Sequence, residues 1–256
     1  MSDVILAIEN LVKRFDSVPV LKRINAEVRR GDVVGLLGLN GAGKTTLLET
    51  ALGFAIPDEG SVTLFGHASS AIADERIKHR IGFVPQQDEL IETMKGSEFL
   101  GLISMFYANW NHVLIARLAR EWNVPLTKPA RKLSVGQRQK LSILAALGHE
   151  PDLIVLDEPV ASLDPLARRT FLQELIDFVS GGDRTILFST HIVSDLERIA
   201  NRVWILKDGA LVVDEALDKL KESKAEIQQA AGGALPRGSG VDPGMSLEEI
   251  FLELHK

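Results

Sequence analysis

The stretch GLNGAGKTT, Gly38 to Thr46, combines glycine, lysine and threonine at a spacing suited to holding phosphate. Gly38, Gly43, Lys44 and Thr45 satisfy the pattern G-x-x-x-x-G-K-[ST], after an apolar run, VVGLL, and before a helical one, TTLLETAL. The glycines let the backbone bend so that successive N–H groups turn toward the β- and γ-phosphates, and the following helix directs its positive end the same way. Lys44 adds a full charge, and the Thr45 hydroxyl suits a Mg²⁺ that bridges the outer phosphates. Leu39, Asn40, Gly41, Ala42 and Thr46 complete a loop shaped for ATP or GTP. A glycine-rich turn without a ligand is the plainer reading, and the full match in its required context outweighs it.

A second constellation is LIVLDEP, which sets Asp157 and Glu158 at the end of an apolar run. Open α/β sheets bind their ligands at the carboxyl ends of strands. Asp157 suits holding Mg²⁺ through its water shell, and Glu158 suits accepting a proton from an attacking water. Alone, such a pair reads equally as a helix N-cap and a surface acid; beside a phosphate loop, the functional reading prevails. A third run, TILFST, ends at His191, whose neutral imidazole could bond a γ-phosphate or the water. A lone histidine at a strand end is more often structural, so its reading depends on its neighbours.

These residues need a scaffold that brings strand ends together. The runs VVGLLG, LIVLD and TILFST read as buried strands of an α/β sheet, alternating with helical patterns from residue 31 onward. Val62 to Phe65 and the hairpin-like VWILKDGALVVD, with Asp208-Gly209 at its turn, read as edge or antiparallel strands, so the sheet is expected to be mixed. Glu98 to Leu147 shows helical spacing and no good strand, which predicts a helical subdomain over about 88–148 between a strand ending near Val84 and one starting near Leu153. Gly232 to Met245 is a Gly- and Pro-rich linker or loop. Beyond it, Ser246 and Glu249 have capping-box spacing, and Leu247, Ile250, Phe251 and Leu254 fall on one helical face.

Composition narrows the function. The 256-residue chain has a net charge of -6 and a pI near 5.6, which argues against a nucleic-acid partner or a polybasic membrane anchor. It has no cysteine, which excludes disulfides, thiolate zinc sites and cysteine nucleophiles and fits a reducing compartment. No apolar run is long enough to span a bilayer and the N-terminus lacks a signal-peptide layout, so membrane work would need another subunit.

Against that acidic balance, Trp122 to His149 holds no Asp or Glu but carries Lys128, Arg131, Lys132, Arg138 and Lys140. Such runs are usually solvated faces. Here Ser134 and Gln137, in LSVGQ, have capping-box spacing, which predicts a helix starting at Ser134. Its free N–H groups form a natural anion site, next to the bare Gly136. A carboxylate beside that end would repel a phosphate, so the missing acids make sense there. Spacing alone leaves open whose phosphate the helix meets.

The motif order GLNGAGKTT, FVPQQ, LSVGQ, LIVLDEP, ASLD and STH resembles the nucleotide-binding subunit of ATP-binding-cassette (ABC) transporters over about Ile8 to Glu215. The resemblance implies a P-loop NTPase of the α/β class: an ABC ATPase fold with a mixed β-sheet core, an antiparallel β subdomain and an α-helical signature subdomain. The ATPase domain would cover 1–215 and a C-terminal extension 216–256. By the same resemblance Gln86 senses Mg²⁺ and the membrane subunits, LSVGQ is the signature, Asp164 lies at a dimer interface, His191 is the switch histidine, and Phe15 stacks on adenine. Ser134, Gly136 and Gln137 would then meet ATP held by a second ATPase subunit. The family's setting implies integral membrane permease subunits as partners and a cytoplasmic position on the inner face of the membrane.

This sequence departs from the family pattern at Leu39, where proline is common, at Val135, where the signature usually has glycine, and at Phe15, where tyrosine would add a hydroxyl. The FYANW stretch and the terminal SLEEIFLEL are similar to ATPases of bacterial ABC-2-type exporters of drugs, antibiotics or envelope components; FYANW reads equally as an ordinary helix cap with an apolar patch. The ATPase of an uptake system would share the catalytic residues. A soluble ABC ATPase would be expected to carry two cassettes or a long coiled-coil insertion. A non-hydrolysing regulatory subunit would not keep Asp157, Glu158 and His191.

Overall fold

Two 12-residue strands, β1 (Val4–Phe15) and β2 (Val18–Arg29), open the chain as an antiparallel hairpin. The computed structural model describes residues 3–69, 75–161, 163, 165–180, 184–220 and 247–254. Asp16 and Ser17 both take positive φ at the hairpin turn, the two-residue geometry that matches strand twist. Strand-like runs stand out in the sequence only from residue 31 onward, so this pair is not expected from it. The reason is physical: the register slips between Ile8 and Leu11, where Asn10 turns to φ 49°, so inward and outward residues do not alternate cleanly.

Next come β3 (Val33–Leu37), α1 (Lys44–Ala51), β4 (Glu59–Leu64), β5 (His67–Ala68), α2 (Glu75–Lys78) and β6 (Ile81–Val84). After them α3 (Gly96–Ser104), α4 (His112–Glu121), a 3-10 turn (Ala130–Lys132) and α5 (Val135–Leu147) follow with no strand between, as the helical spacing predicts. The chain continues through β7 (Leu153–Leu156), α6 (Pro165–Ser180), β8 (Thr185–Thr190), α7 (Val193–Ile199), β9 (Arg202–Lys207) and β10 (Ala210–Ala216).

One sheet has the order β2-β1-β4-β5 and is antiparallel; β4 is therefore internal to it rather than an edge, and Phe65 falls at the turn after it. The other has the order β10-β9-β3-β8-β7-β6, parallel from β9 to β6, with β10 returning antiparallel across the Asp208-Gly209 turn. Alternate residues of the central strands feed two cores. Val33, Leu37, Ile154, Leu156, Ile186 and Phe188 face the helical side, while Val34, Leu36, Leu153, Val155 and Leu187 face the antiparallel sheet. The parallel strands thus end side by side, which puts Gly38, Asp157 and His191 at one edge.

The terminal helix (Leu247–Leu254) buries Leu247, Ile250 and Phe251 in the helical-side core of its own chain, next to α7. Ser246, the capping position expected from spacing, and the linker before it lie outside the described residues, as does the Leu254 side chain.

Candidate functional site

At the end of β3 the chain enters the loop through Gly38, where any Cβ would come within 2.7 Å of the Leu206 carbonyl oxygen. Gly43 caps α1 with φ 104°, a conformation costly to other residues, and no side chain caps the helix. The first turn of α1 carries no acid, so its N–H groups form an electropositive end suited to an anion. Leu39, Asn40 and Gly41 are exposed on the loop, Thr46 is half-buried and Ala42 is buried.

Lys44 is 5% exposed. Its Nζ donates to the Gly38 carbonyl at 2.8 Å and the Leu39 carbonyl at 3.2 Å, and pairs with Glu158 Oε1 at 2.9 Å. The other Glu158 oxygen lies 2.9 Å from His191 Nδ1. Burial pushes the Glu158 carboxyl up, but the Lys44 ammonium, seconded by His191, more than offsets this and holds it below the usual carboxylate range. Glu158 adopts φ 44°, an uncommon backbone for a side chain of its size, just where the strand end must aim it at Lys44.

Asp157 is gripped from two sides: the Thr45 hydroxyl donates to Oδ2 at 2.7 Å and the Ser189 hydroxyl to Oδ1 at 2.5 Å. Ser189 Oγ also accepts from the Glu158 N–H at 2.7 Å. Ser189 stands first in STH and is not among the residues expected at the site. Its signal was its place at the end of β8, level with the acidic pair after β7.

Thr45 and Asp157 offer a hard cation two adjacent oxygens. That suits Mg²⁺, which takes one or two protein oxygens and completes its octahedron with phosphate and water. Consistent with this partial set, no group of three or more His, Asp or Glu side chains forms a metal cage among the described residues.

Other expected residues sit around this cluster. Phe15, 51% exposed, pairs with Val18 at the hairpin tip, and Val20 of the same hairpin packs beside Gly43. The structure therefore places an exposed aromatic ring, with Lys13 Nζ 5.5 Å from its centroid, on an element that borders the loop. Gln86 is exposed just past β6, whose last carbonyl, on Val84, accepts from the Asp157 N–H at 2.9 Å. Asp164 lies outside the described residues.

The LSVGQ stretch forms the cap that its spacing predicts. The Ser134 hydroxyl accepts from the Gln137 N–H at 3.2 Å, and the Gln137 side chain accepts from the Ser134 N–H at 3.1 Å. These bonds are to each other, not to the Lys44–Glu158 cluster, and Ser134 is exposed. Val135 points outward, 54% exposed, and Gly136 faces Leu163 so closely that a Cβ there would lie 3.3 Å from it. The branched side chain at 135 thus burdens nothing within its own chain.

The acid-free run needs a correction. Carboxylates do stand beside α5, supplied from elsewhere: Arg138 pairs with Asp88 and Glu92, and the half-buried Lys140 pairs with Glu174 at 2.9 Å. Lys128 and Lys132 are exposed, as the solvated reading has it. In FYANW, both readings find a part. Phe106 is exposed, whereas Tyr107 stacks on His149 with ring centroids 4.0 Å apart and Trp110 fills the space that a side chain at Gly148 would need.

The chain is similar to known proteins of one family. A family model described as ABC transporter matches residues 21–161, more than half of the chain. The chain is 31% identical over 225 residues to the ABC transporter ATP-binding protein YtrB of Bacillus subtilis (strain 168), covering 88% of this chain and 76% of that one. It is 32% identical over 243 residues to the Nod factor export ATP-binding protein I of Ralstonia nicotianae, covering 91% and 74%. A solved structure of the ATP binding subunit of an ABC transporter matches with a TM-score of 0.78 at 30% identity, over 98% of this chain and all of that one.

Proposed function

From the premise that this chain belongs to the ABC transporter family, as an ATP-binding ATPase subunit, we propose that it closes with a second ATPase subunit around two MgATP and powers export through separate permeases. The observation that carries the chemistry is the cluster in which the buried Glu158 joins the buried Lys44 and the half-buried His191, while the exposed Thr45 joins the buried Asp157. The α1 N-terminus and Lys44 bind the β- and γ-phosphates. Mg²⁺, held by Thr45 and Asp157 with Gln86 approaching it, would neutralise charge building on the outer phosphate oxygens.

A γ-phosphate at the loop competes with Glu158 for Lys44. As Lys44 turns to the phosphate, Glu158 Oε1 is released to accept a proton from a water, whose oxygen attacks the γ-phosphorus as the bond to the ADP oxygen breaks. His191 keeps the carboxylate oriented through its other oxygen. In this arrangement Lys44 and His191 hold Glu158 ionised; when Lys44 turns to the phosphate, the loss of that contact raises the basicity of the carboxylate, which favours taking the proton. Phe15 offers its face to the base.

The exposed capped end of α5 supports a shared site, because it bonds nothing in its own catalytic cluster and presents helix N–H groups suited to a phosphate from elsewhere. Ser134, Gly136 and Gln137 of one subunit then meet the nucleotide on Lys44 of the other, with Asp164 near the seam. A cavity of about 210 Å³ lined by Phe83, Leu90, Phe99, Ile103 and Tyr107, beside the exposed Met105 and Phe106, supports permease docking on the membrane's inner face. No helix among the described residues is long and apolar enough to cross a membrane. The name of the Nod factor relative supports export.

Ser134→Arg tests the shared site. Turnover is expected to be lost while a single chain still binds a fluorescent ATP analogue within about twofold of the parent, because Ser134 bonds only its own cap. Loss of binding by the single chain would refute the arrangement.

A further inference from the structure

The loop that carries Gln86 is fastened at both ends. Its start is tied to the catalytic strand ends, where the Val84 carbonyl accepts from the Asp157 N–H. Its far side is tied to the signature helix. Arg138 Nε and Nη2 donate to the two oxygens of Asp88 at 2.9 and 2.7 Å, and Nη1 donates to Glu92 Oε1 at 2.8 Å. Backbone bonds continue the lacing, from the Arg131 N–H to the Glu92 carbonyl and from the Ala130 N–H to the Met94 carbonyl, both at 3.0 Å.

This is not an ordinary surface pair. The Arg138 side chain is 19% exposed and that of Asp88 18%, and the contact is a two-pronged fork, which fixes direction as well as distance. Arg138 also stands in a poor place for a cation: its N–H closes the first turn of α5 on the Ser134 carbonyl, where the helix field favours negative charge. Two carboxylates offset that field and hold the guanidinium charged.

The reach of the chain makes the fork a mechanical link. Gln86 is two residues from Val84 and two from Asp88, so it lies within about 7 Å of each anchor however the loop is bent. A shift of Gln86 toward the phosphates that exceeds the slack in these two-residue spans pulls on the Val84 tie or on Asp88, and through Asp88 on the first turn of α5.

Resting on the reading that α5 meets a partner's nucleotide, we propose that Arg138 is a positioning residue: its fork to Asp88 makes α5 follow Gln86, so that nucleotide engagement in one site sets the angle of the signature offered to the other. Arg138 touches no phosphate in this arrangement. It acts through Asp88 at one end and the Ser134 cap at the other.

The test uses the full chain with Glu158→Gln, in which an ATP-bound dimer accumulates, and measures the ATP concentration giving half-maximal dimer by light scattering. Arg138→Gln and Asp88→Asn are each expected to raise that concentration about tenfold, and the double variant no further, because both break one link. Arg138→Lys, which keeps the charge but not the fork, should fall between. Binding of a fluorescent ATP analogue by the single chain should stay within about twofold, a split that general loosening of α5 would not produce. Should Arg138→Gln fail to fold, Asp88→Asn and Arg138→Lys carry the same comparison. Folded variants that dimerise at the parent ATP concentration, or additive effects in the double variant, would overturn the link. A Glu158→Gln parent that never dimerises counts instead against the shared-site reading.

Discussion

Ser189→Ala isolates a residue whose whole contribution is to hold the acidic pair. The Ser189 side chain is fully buried and its hydroxyl serves two partners, donating to Asp157 Oδ1 and accepting from the Glu158 N–H. Deleting it removes a hydrogen bond to a charged group, worth about 1.5 to 3 kcal/mol, and strands a buried N–H, which costs about 1 to 3 kcal/mol more. With partial relaxation the variant should lose about 3 kcal/mol, or roughly 6 to 12 °C in a domain of this size. Urea unfolding and a thermal melt measure the loss. Asp157 also loses one of the two hydroxyls that orient it, so the steady-state ATPase rate should fall about 10- to 100-fold, the range seen when a metal ligand loses its supporting bond. A variant within about 0.5 kcal/mol of the parent and equally active would refute the role given to this hydroxyl.

Two further outcomes follow from the same cluster. Lys44→Met leaves Glu158 with His191 alone and removes the charge that phosphate meets; it should cost about 3 kcal/mol or more in urea unfolding and abolish nucleotide binding at concentrations that saturate the parent. Glu158, whose carboxyl is held below its ordinary 4.5, stabilises the fold above that pH, and its contribution fades as pH falls through the lower folded value. The stability gap between parent and Glu158→Gln, measured by urea unfolding, should therefore narrow steadily as the pH drops below about 4.5.

How far the sequence speaks depends on whether a requirement is local. Gly38, Gly43, Lys44 and Thr45 answer to a loop that must bend within a few residues, and the structure places them as their spacing implies. The Ser134–Gln137 cap is likewise closed within one turn. Features that depend on distant partners were opaque. Arg138 meets Asp88 across 50 positions, so its charge read as part of an unpaired basic run. Ser189 lies 32 positions from Asp157 and reads as one more small polar residue at a strand end. The terminal helix shows its apolar face but not the surface that receives it, because α7 comes into place beside it only in the fold. β1 was hidden for a different reason: its bulges break the alternation by which strands are recognised.

The proposed function turns on Glu158 taking the proton in a site completed by a second subunit. Glu158→Gln keeps the shape of the side chain that bridges Lys44 and His191 but removes the basic oxygen. With saturating MgATP, steady-state turnover should drop at least about 100-fold while light scattering shows a stable dimer holding two ATP per pair. A variant that hydrolyses ATP at the parent rate, or that stays monomeric with ATP bound, would contradict the account.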